Sequence, residues 1–331
     1  MLNKIYEQIK YYIKKNFKLI IILFCILFLF TLELPYYIDM PGGLIDVSKR
    51  LEVEDGYNME GSLNLAYISE IKATIPTLIF AYFNDDWDII KKEEVVASNE
   101  TVEEIDYRNH LLLEEANQNA IMVAFDKAGF DYEVKNRKVN IIYIYEEANT
   151  DLKIGDQIIS INDININSKE EALNVIKESN DLTFKVINNG KEYTRKAKKT
   201  NIEGVELVGV TVCETKEVIP SKEVSINFKK SESGPSGGFM MALSIYNYLT
   251  PDDITNGLKI VGTGTIDEYG NVGEIGGIEY KIKAAVKEDA DIFFAPTENF
   301  EEAKKVVLED DLDIELVEVS HIDDAIKYLT N

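Results

Sequence analysis

Ser236 is the residue with the clearest chemical potential in the sequence. It lies in the glycine-rich loop Ser233-Gly234-Pro235-Ser236-Gly237-Gly238, between a half-buried strand predicted over residues 222–228 and an apolar helix predicted over residues 239–249. Backbone N–H groups at the start of a helix are unpaired and can stabilise an oxyanion, and flanking glycines let a substrate carbonyl approach closely. The pattern therefore predicts a nucleophilic serine.

A serine hydroxyl is a weak nucleophile that needs a base, and Lys281 is the first candidate. A helix predicted from residue 278 carries Lys281, Lys283 and Lys287, and its apolar residues define one buried face. Lys281 lies ~80° from the centre of that face, Lys283 ~120° and Lys287 ~160°. Lys281 is therefore expected to be the most desolvated of the three, which lowers the pKa of its amine and lets it accept the serine proton.

His321 is the alternative base. Ser236, Asp291 and His321 follow one another in the chain order of an α/β-hydrolase triad, and the serine loop fits G-x-S-x-G. That fold places several strands and an oxyanion loop before the nucleophile, whereas only about 30 residues separate Ser236 from the preceding compact segment. The lysine is therefore the favoured base, and the triad stays open as the less favoured interpretation.

The composition argues against several other classes of function. The 331 residues include 59 Asp and Glu against 35 Lys and Arg, a formal charge of −24, which disfavours nucleic-acid binding. No G-x-x-x-x-G-K-[ST] motif is present, which argues against a P-loop ATPase. The cysteines and histidines lack the spacing of zinc ligands, so no metal and no other cofactor are expected.

The N-terminal segment is expected to cross a membrane. Residues 19–32 are almost wholly apolar, and about 20 residues up to position 38 could span a bilayer. Lysines are concentrated before this run, which predicts a cytoplasmic tail and anchor over residues 1–38 and an extracytoplasmic remainder. A cleaved signal peptide is the alternative, although the following TLELPYYIDM lacks a small-x-small cleavage pattern.

The next segment, residues 39–129, is expected to be a membrane-proximal α/β region with no assigned function. Short apolar runs at residues 63–68 and 77–83 predict strands. Residues 100–129 predict a helix, because alanines and larger apolar side chains recur at helical spacing before Gly129.

Residues 130–200 resemble a PDZ domain of the bacterial protease type. The match is L-x-x-GD-x-I-x-x-I-N from Leu152, followed by a helix with a capping box at Ser168 and a hairpin turning at Asn188-Asn189-Gly190. The resemblance implies a groove between a strand and that helix, where an extended peptide would add as a further strand. The groove strand is expected within residues 139–145.

The segment from about residue 203 to 331 resembles the proteolytic domain of Lon proteases. Gly234-Pro235-Ser236-Gly237-Gly238 matches the nucleophile loop, and a second block matches in register through Thr263-Gly264-x-Ile266, Gly270-x-Val272, Ile275-Gly276-Gly277-Ile278 and Lys281. The resemblance implies a Ser236/Lys281 dyad, with Thr263 beside the lysine and Gly237 in support. Ser233, Gly237 and Gly273-Glu274 depart from the residues that are usual in that family.

The expected fold is an α+β multidomain protein with a single N-terminal transmembrane helix, a PDZ-like domain and a Lon-type α/β proteolytic domain. This order resembles the membrane-anchored PDZ–Lon-like serine proteases of bacteria. It implies an ATP-independent serine endopeptidase that cleaves exported peptides or flexible protein segments, with homo-oligomerisation by analogy. The alternative is a non-catalytic adaptor that binds peptides through the PDZ-like unit and keeps a silent Lon-type fold.

Overall fold

The computed structural model describes residues 2–95, 100–202, 204–229 and 234–331. Helices and strands are numbered along the chain. The helices in these residues are α1 (Leu2–Lys15), α2 (Phe17–Thr31), α3 (Ile75–Tyr82), α4 (Lys92–Val95), α5 (Val102–Ala128), α6 (Lys169–Glu178), α7 (Gly238–Leu249), α8 (Ile278–Lys287), α9 (Thr297–Glu309) and α10 (Ile322–Thr330).

The strands form several consecutive runs between these helices. They are β1 (Tyr36–Asp46), β2 (Leu51–Val53), β3 (Ser62–Lys72), β4 (Asp88–Lys91), β5 (Tyr132–Ile144), β6 (Asn149–Thr150), β7 (Gln157–Ile161), β8 (Ile164–Asn165), β9 (Asp181–Asn188), β10 (Lys191–Lys198), β11 (Thr200–Ile202), β12 (Val205–Leu207), β13 (Val210–Pro220), β14 (Val224–Ile226), β15 (Lys259–Gly262), β16 (Thr265–Ile266), β17 (Val272–Gly273), β18 (Ile292–Pro296) and β19 (Glu315–Val319).

The chain divides into two compact units, which differ from the four segments predicted from the sequence. The first unit comprises Met1–Gly42 and Ile68–Ser98, and the second comprises Gly43–Tyr67 and Asn99–Asn331. Residues 43–67 therefore belong with the C-terminal part of the chain, although they precede it by a long stretch. The expected boundary at residue 203 falls on a position outside the described residues.

The first unit is built on an antiparallel strand pair. β1 pairs with β4 from Tyr36↔Lys91 to Asp39↔Asp88, and Ile38 is buried with Ala73 and Ala81 beside it. Residues 77–83, predicted as a strand, lie in and just after the helix α3. Pro76 in its first turn and the bond from the Thr74 N–H to Thr77 Oγ1 (2.7 Å) favour a helix start.

The predicted transmembrane helix is wrong. Among the described residues, no helix is both long enough and apolar enough to cross a membrane. The apolar helix α2 has 15 residues, about 22 Å at 1.5 Å per residue, against about 30 Å of hydrocarbon. Residues expected to complete the span leave the helix, because Leu32 is extended and β1 begins at Tyr36. The membrane-anchored localisation inferred from that span is wrong with it.

Four parallel strands form the centre of the second unit. Their order is β19-β18-β15-β3, with Ile260 paired to both Ile292 and Leu63. Alternation along the strands gives the sheet two apolar faces. One face packs against α5, α7 and α10, and the other packs against α8 and α9. Helices on both faces are the usual arrangement for a parallel sheet.

The second sheet of this unit is antiparallel and contains the elements predicted for residues 130–200. Its order is β13-β5-β7-β9-β10-β6, and β8 pairs with β7. Ser168 caps α6 by accepting a bond from the Glu171 N–H, and Asn189 and Gly190 both have positive φ in the β9–β10 turn. The helix and the hairpin are therefore confirmed, while the PDZ assignment itself stays a prediction.

The strand predicted to bind a peptide lies within β5, which already pairs with two strands of the chain. β13 pairs with β5 from Val210↔Ile144 to Pro220↔Tyr132, and the opposite edge of β5 pairs with β7 at Val139 and Asn140. Because β7 pairs with the second edge of β5 only at Val139 and Asn140, the expectation that a peptide adds within residues 139–145 stays a prediction.

Helix α5 covers the outer edge of β13. The N–H groups of Glu214 and Lys216 donate to the side chains of Glu115 (3.2 Å) and Gln118 (2.9 Å). The same helix packs along α7, so it connects the antiparallel sheet to the helix that follows Ser236.

Close backbone approach at Gly61 gives a test of how β3 is held beside β15. A Cβ at Gly61 would lie 2.3 Å from the Leu258 carbonyl oxygen, so we expect Gly61→Ala to lower the free energy of unfolding by about 1–3 kcal/mol. Gly276→Ala is the matched control, because a Cβ at Gly276 meets nothing within 4 Å. Urea unfolding of both variants measures the difference, and equal stabilities would contradict the packing described.

Candidate active site

Ser236 lies at the entrance to a buried helix. It occupies the middle of a 3-10 turn, Pro235–Gly237, that runs directly into α7. Gly234, just before the turn, has φ of 128°, a conformation that residues with a Cβ rarely adopt. Ser236 is only partly buried, whereas α7 behind it is almost wholly buried. The serine is thus placed at the positive end of a helix fixed by the core.

Backbone bonds hold the serine loop against the segment after β15. The Ser236 carbonyl oxygen accepts from the Gly264 N–H (2.8 Å) and from the Thr263 hydroxyl (3.2 Å). In return, the Phe239 N–H donates to the Gly264 carbonyl (3.2 Å). Gly264 has φ of 154°, and a Cβ there would lie 2.5 Å from Val272 Cγ1. The close contact therefore requires glycine at this position.

Lys281 reaches the same point from α8. Its side chain is 3% exposed, and its Nζ donates to Thr263 Oγ1 at 3.1 Å. Burial disfavours the charged ammonium and lowers the pKa of Lys281 to about 8. Lys283 is partly exposed and pairs with Asp310 (3.1 Å), and Lys287 is exposed. The prediction that Lys281 is the most desolvated lysine of this helix is confirmed.

Thr263 is the group that joins the two predicted dyad residues. It is fully buried, accepts a hydrogen bond from the Lys281 amine and donates one to the Ser236 carbonyl. The structure therefore brings Ser236, Lys281 and Thr263 together, although they come from three separate elements.

Gly237 leaves room for a side chain from β3. A Cβ at this position would lie 2.7 Å from Leu65 Cδ2, so Leu65 packs where an alanine methyl group would otherwise sit. Leu65 was not predicted as a site residue, because its strand lies far away in the sequence.

Asn119 on α5 is a second residue that the sequence argument missed. It is 7% exposed, and its Nδ2 donates to the Ile266 carbonyl (3.0 Å), two residues beyond Gly264. The sequence did contain a signal for it, because Asn119 is a polar residue three positions after Ala116 on the apolar face of the helix. Buried polar groups usually have a specific hydrogen-bond partner.

His321 and Asp291 have partners elsewhere. His321 Nδ1 accepts from the Asp323 N–H (3.1 Å) at the start of α10, and its Nε2 lies 3.0 Å from the Tyr269 carbonyl. Asp291 accepts from the Lys259 N–H (2.7 Å). Both residues thus have structural bonds that account for their positions, and the geometry favours Lys281 as the base beside Ser236.

Two further sequence observations concern the contents of this site. Ser233, noted as a departure from the usual loop, lies outside the described residues. Among the side chains that the structure describes, no group of three His, Cys, Asp or Glu residues is arranged to hold a metal ion.

Comparison with known proteins identifies the family. The family described as the Lon protease (S16) C-terminal proteolytic domain matches residues 152–331, more than half of the chain. The chain belongs to the Lon protease S16 family. The match begins inside the segment that we compared with PDZ domains, and it includes Ser236, Thr263 and Lys281. Membership supports a hydrolase of the serine peptidase class.

A curated relative agrees with this assignment. The chain is 33% identical over 94 residues to the Lon protease of Aster yellows witches'-broom phytoplasma (strain AYWB). The aligned part is 28% of this chain and 12% of that Lon protease.

The burial of a lysine amine in this Lon-type domain has a measurable thermodynamic consequence. The pKa of Lys281 falls from 10.5 to about 8 on folding, so below pH 8 the folded state holds a buried charge. We expect Lys281→Met to raise the free energy of unfolding by about 1–3 kcal/mol below pH 8, with the gain shrinking as pH approaches 10.5.

Chemical unfolding at several pH values measures this difference. Lys287→Met, at an exposed position of the same helix, is the control and should change stability little at any pH. A gain for Lys281→Met that does not depend on pH would contradict the pKa shift.

Proposed function

We propose that the protein is a Lon-type serine peptidase in which Ser236 is the nucleophile and Lys281 the general base. The single observation that carries the proposal is the buried Lys281 amine, bonded to a threonine that also binds the Ser236 carbonyl. An amine with a pKa of about 8 is neutral in an appreciable fraction of molecules near neutral pH. That neutral amine can accept the proton of the serine hydroxyl.

The proposed reaction proceeds in two halves. Ser236 Oγ attacks the scissile carbonyl while Lys281 Nζ takes its proton, and the start of α7 stabilises the oxyanion. Lys281 then gives the proton to the leaving amine, and an acyl-enzyme remains. Water, activated by the same lysine, attacks the ester, and the proton returns to Ser236. Thr263 holds the amine in place in both halves.

We further propose that the substrates are peptides or flexible segments of proteins, cleaved without ATP. The 331 residues contain no P-loop motif that would supply energy for unfolding a folded substrate. The adaptor alternative, in which residues 130–200 bind peptides and the Lon-type fold is silent, is an outcome of the same test.

The direct test compares cleavage of an unstructured peptide mixture by the 331-residue chain and its variants, read by mass spectrometry. We expect Ser236→Ala and Lys281→Ala to lower the rate about a thousandfold or more, and His321→Ala to change it less than about threefold. ATP should leave the rate unchanged. If His321→Ala loses cleavage and Lys281→Ala keeps it, the base is His321 and the proposed dyad is wrong. Peptide binding without cleavage by any form would favour the adaptor.

The pH dependence gives an independent check. The base must be deprotonated to act, so kcat/KM should rise about tenfold per pH unit below pH 8 and level off above it. The His321→Ala protein should show the same profile. A rate independent of pH between 6 and 9 would exclude a lysine base with this pKa.

A further inference from the structure

A partly buried charge network joins the antiparallel sheet to the loop beside the proposed dyad. It consists of Arg137 on β5, Glu214 and Lys216 on β13, and Glu268 after β16. Lys216 Nζ donates to Glu268 Oε2 at 2.7 Å and lies 3.7 Å from Glu214 Oε1. Arg137 contacts both carboxylates, with Nη2 3.0 Å from Glu268 Oε2. The side chains of Lys216 and Glu214 are only 3% and 6% exposed, whereas those of Glu268 and Arg137 are 25% and 29% exposed.

Glu268 sits in a braced hairpin loop between β16 and β17. The Asp267 carboxylate accepts from the N–H groups of Tyr269 and Asn271, both at 2.9 Å, and the Asp267 N–H donates to the Asn271 carbonyl (3.1 Å). These bonds close the loop over five residues. The hairpin that carries Glu268 is therefore held together by its own hydrogen bonds.

That hairpin continues directly from the segment that holds the nucleophile. Thr263 and Gly264, which bind the Ser236 carbonyl, immediately precede β16. Ile266 at the end of β16 is fixed by Asn119, and Glu268 lies two residues further along. The charge network thus fixes Glu268, at one end of a short segment of chain. The other end of that segment, Thr263 and Gly264, binds the Ser236 carbonyl.

Stability alone does not account for these charges. Removing two charged groups from water costs several kcal/mol, and buried ion pairs can often be replaced by apolar residues with no loss of stability. Their best-attested use is to fix one arrangement of neighbouring elements. Here the arrangement fixed is that of the β16–β17 hairpin against β13.

We propose that Lys216 and Glu268 are positioning residues for the nucleophile, acting through the hairpin on Gly264 and Thr263. This inference rests on the proposed role of Ser236. The pair touches neither substrate nor the reacting atoms. It keeps the Gly264 N–H and the Thr263 hydroxyl on the Ser236 carbonyl.

The test is the double variant Lys216→Met/Glu268→Gln, which removes one positive and one negative charge and leaves Arg137 with Glu214. The matched control is Lys185→Met/Asp163→Asn, which removes an ion pair of the same length (2.7 Å) whose side chains are 59% and 85% exposed. Two quantities are measured on the full chain: kcat and KM for peptide cleavage, and hydrogen–deuterium exchange of the segment containing the Gly264 amide.

We expect the double variant to lower kcat about 10- to 100-fold with KM within about twofold, and to speed exchange at Gly264 at least about tenfold. The control should leave both unchanged. Exchange and kcat that stay within about twofold of wild type would overturn the inference. Faster exchange throughout the chain, including the β9–β10 hairpin, would also overturn it, because the role would then be structural only.

Two further variants distinguish a failure of this inference from a failure of the proposed function. Glu268→Gln alone, which leaves Lys216 beside Glu214, serves if the double variant does not fold. Ser236→Ala tests the dyad in parallel. If that variant still cleaves, the proposed function fails, whereas the exchange at Gly264 still decides whether the ion pair positions the loop.

Discussion

The burial of the Lys281 amine is the constraint on which the arrangement of this site depends. A charged amine without water is costly, so the surrounding structure must hold it in place and give it a polar partner. Helix α8 packs into the core through Ile278, Ile282 and Ala285, and Thr263 accepts a hydrogen bond from the amine. The packing of α8 on the sheet is therefore what sets the protonation of its lysine.

Ser236 is held mainly by its backbone. The Ser236 carbonyl receives both the Gly264 N–H and the Thr263 hydroxyl, so these backbone contacts fix the loop. The Thr263 contact joins positions 27 residues apart in the chain, and the lysine bond joins positions 18 apart. The serine loop and α8 therefore both contact the segment after β15 at Thr263.

Local patterns predicted the elements that carry the candidate site residues. The glycine-rich turn before α7 and the inward side of α8 follow from residue types within a dozen positions, and the structure has both features where the sequence placed them. The capping residue of α6 and the Asn189-Gly190 turn were identified for the same reason. Steric and hydrogen-bonding preferences of this kind act within one turn or one hairpin, so they can be read from the sequence.

Long-range pairing was not predictable in the same way. The number of apolar residues predicted a membrane span that reaches residue 38. Nothing in that run shows that Tyr36 begins a strand paired with Lys91. Leu65 beside Gly237 and β13 beside β5 also depend on contacts between distant segments. Asn119 was overlooked since its partner, the Ile266 carbonyl, lies 147 residues away.

The cover that α5 provides over β13 also bears on how the protein behaves at high concentration. A bare strand edge is a template for association with another chain. Because the Glu214 and Lys216 N–H groups are bonded to Glu115 and Gln118, a second molecule could pair there only by displacing a 27-residue helix. At the other end of the sheet, β6 offers only two residues. The β13 edge of the antiparallel sheet is thereby protected against edge-to-edge aggregation.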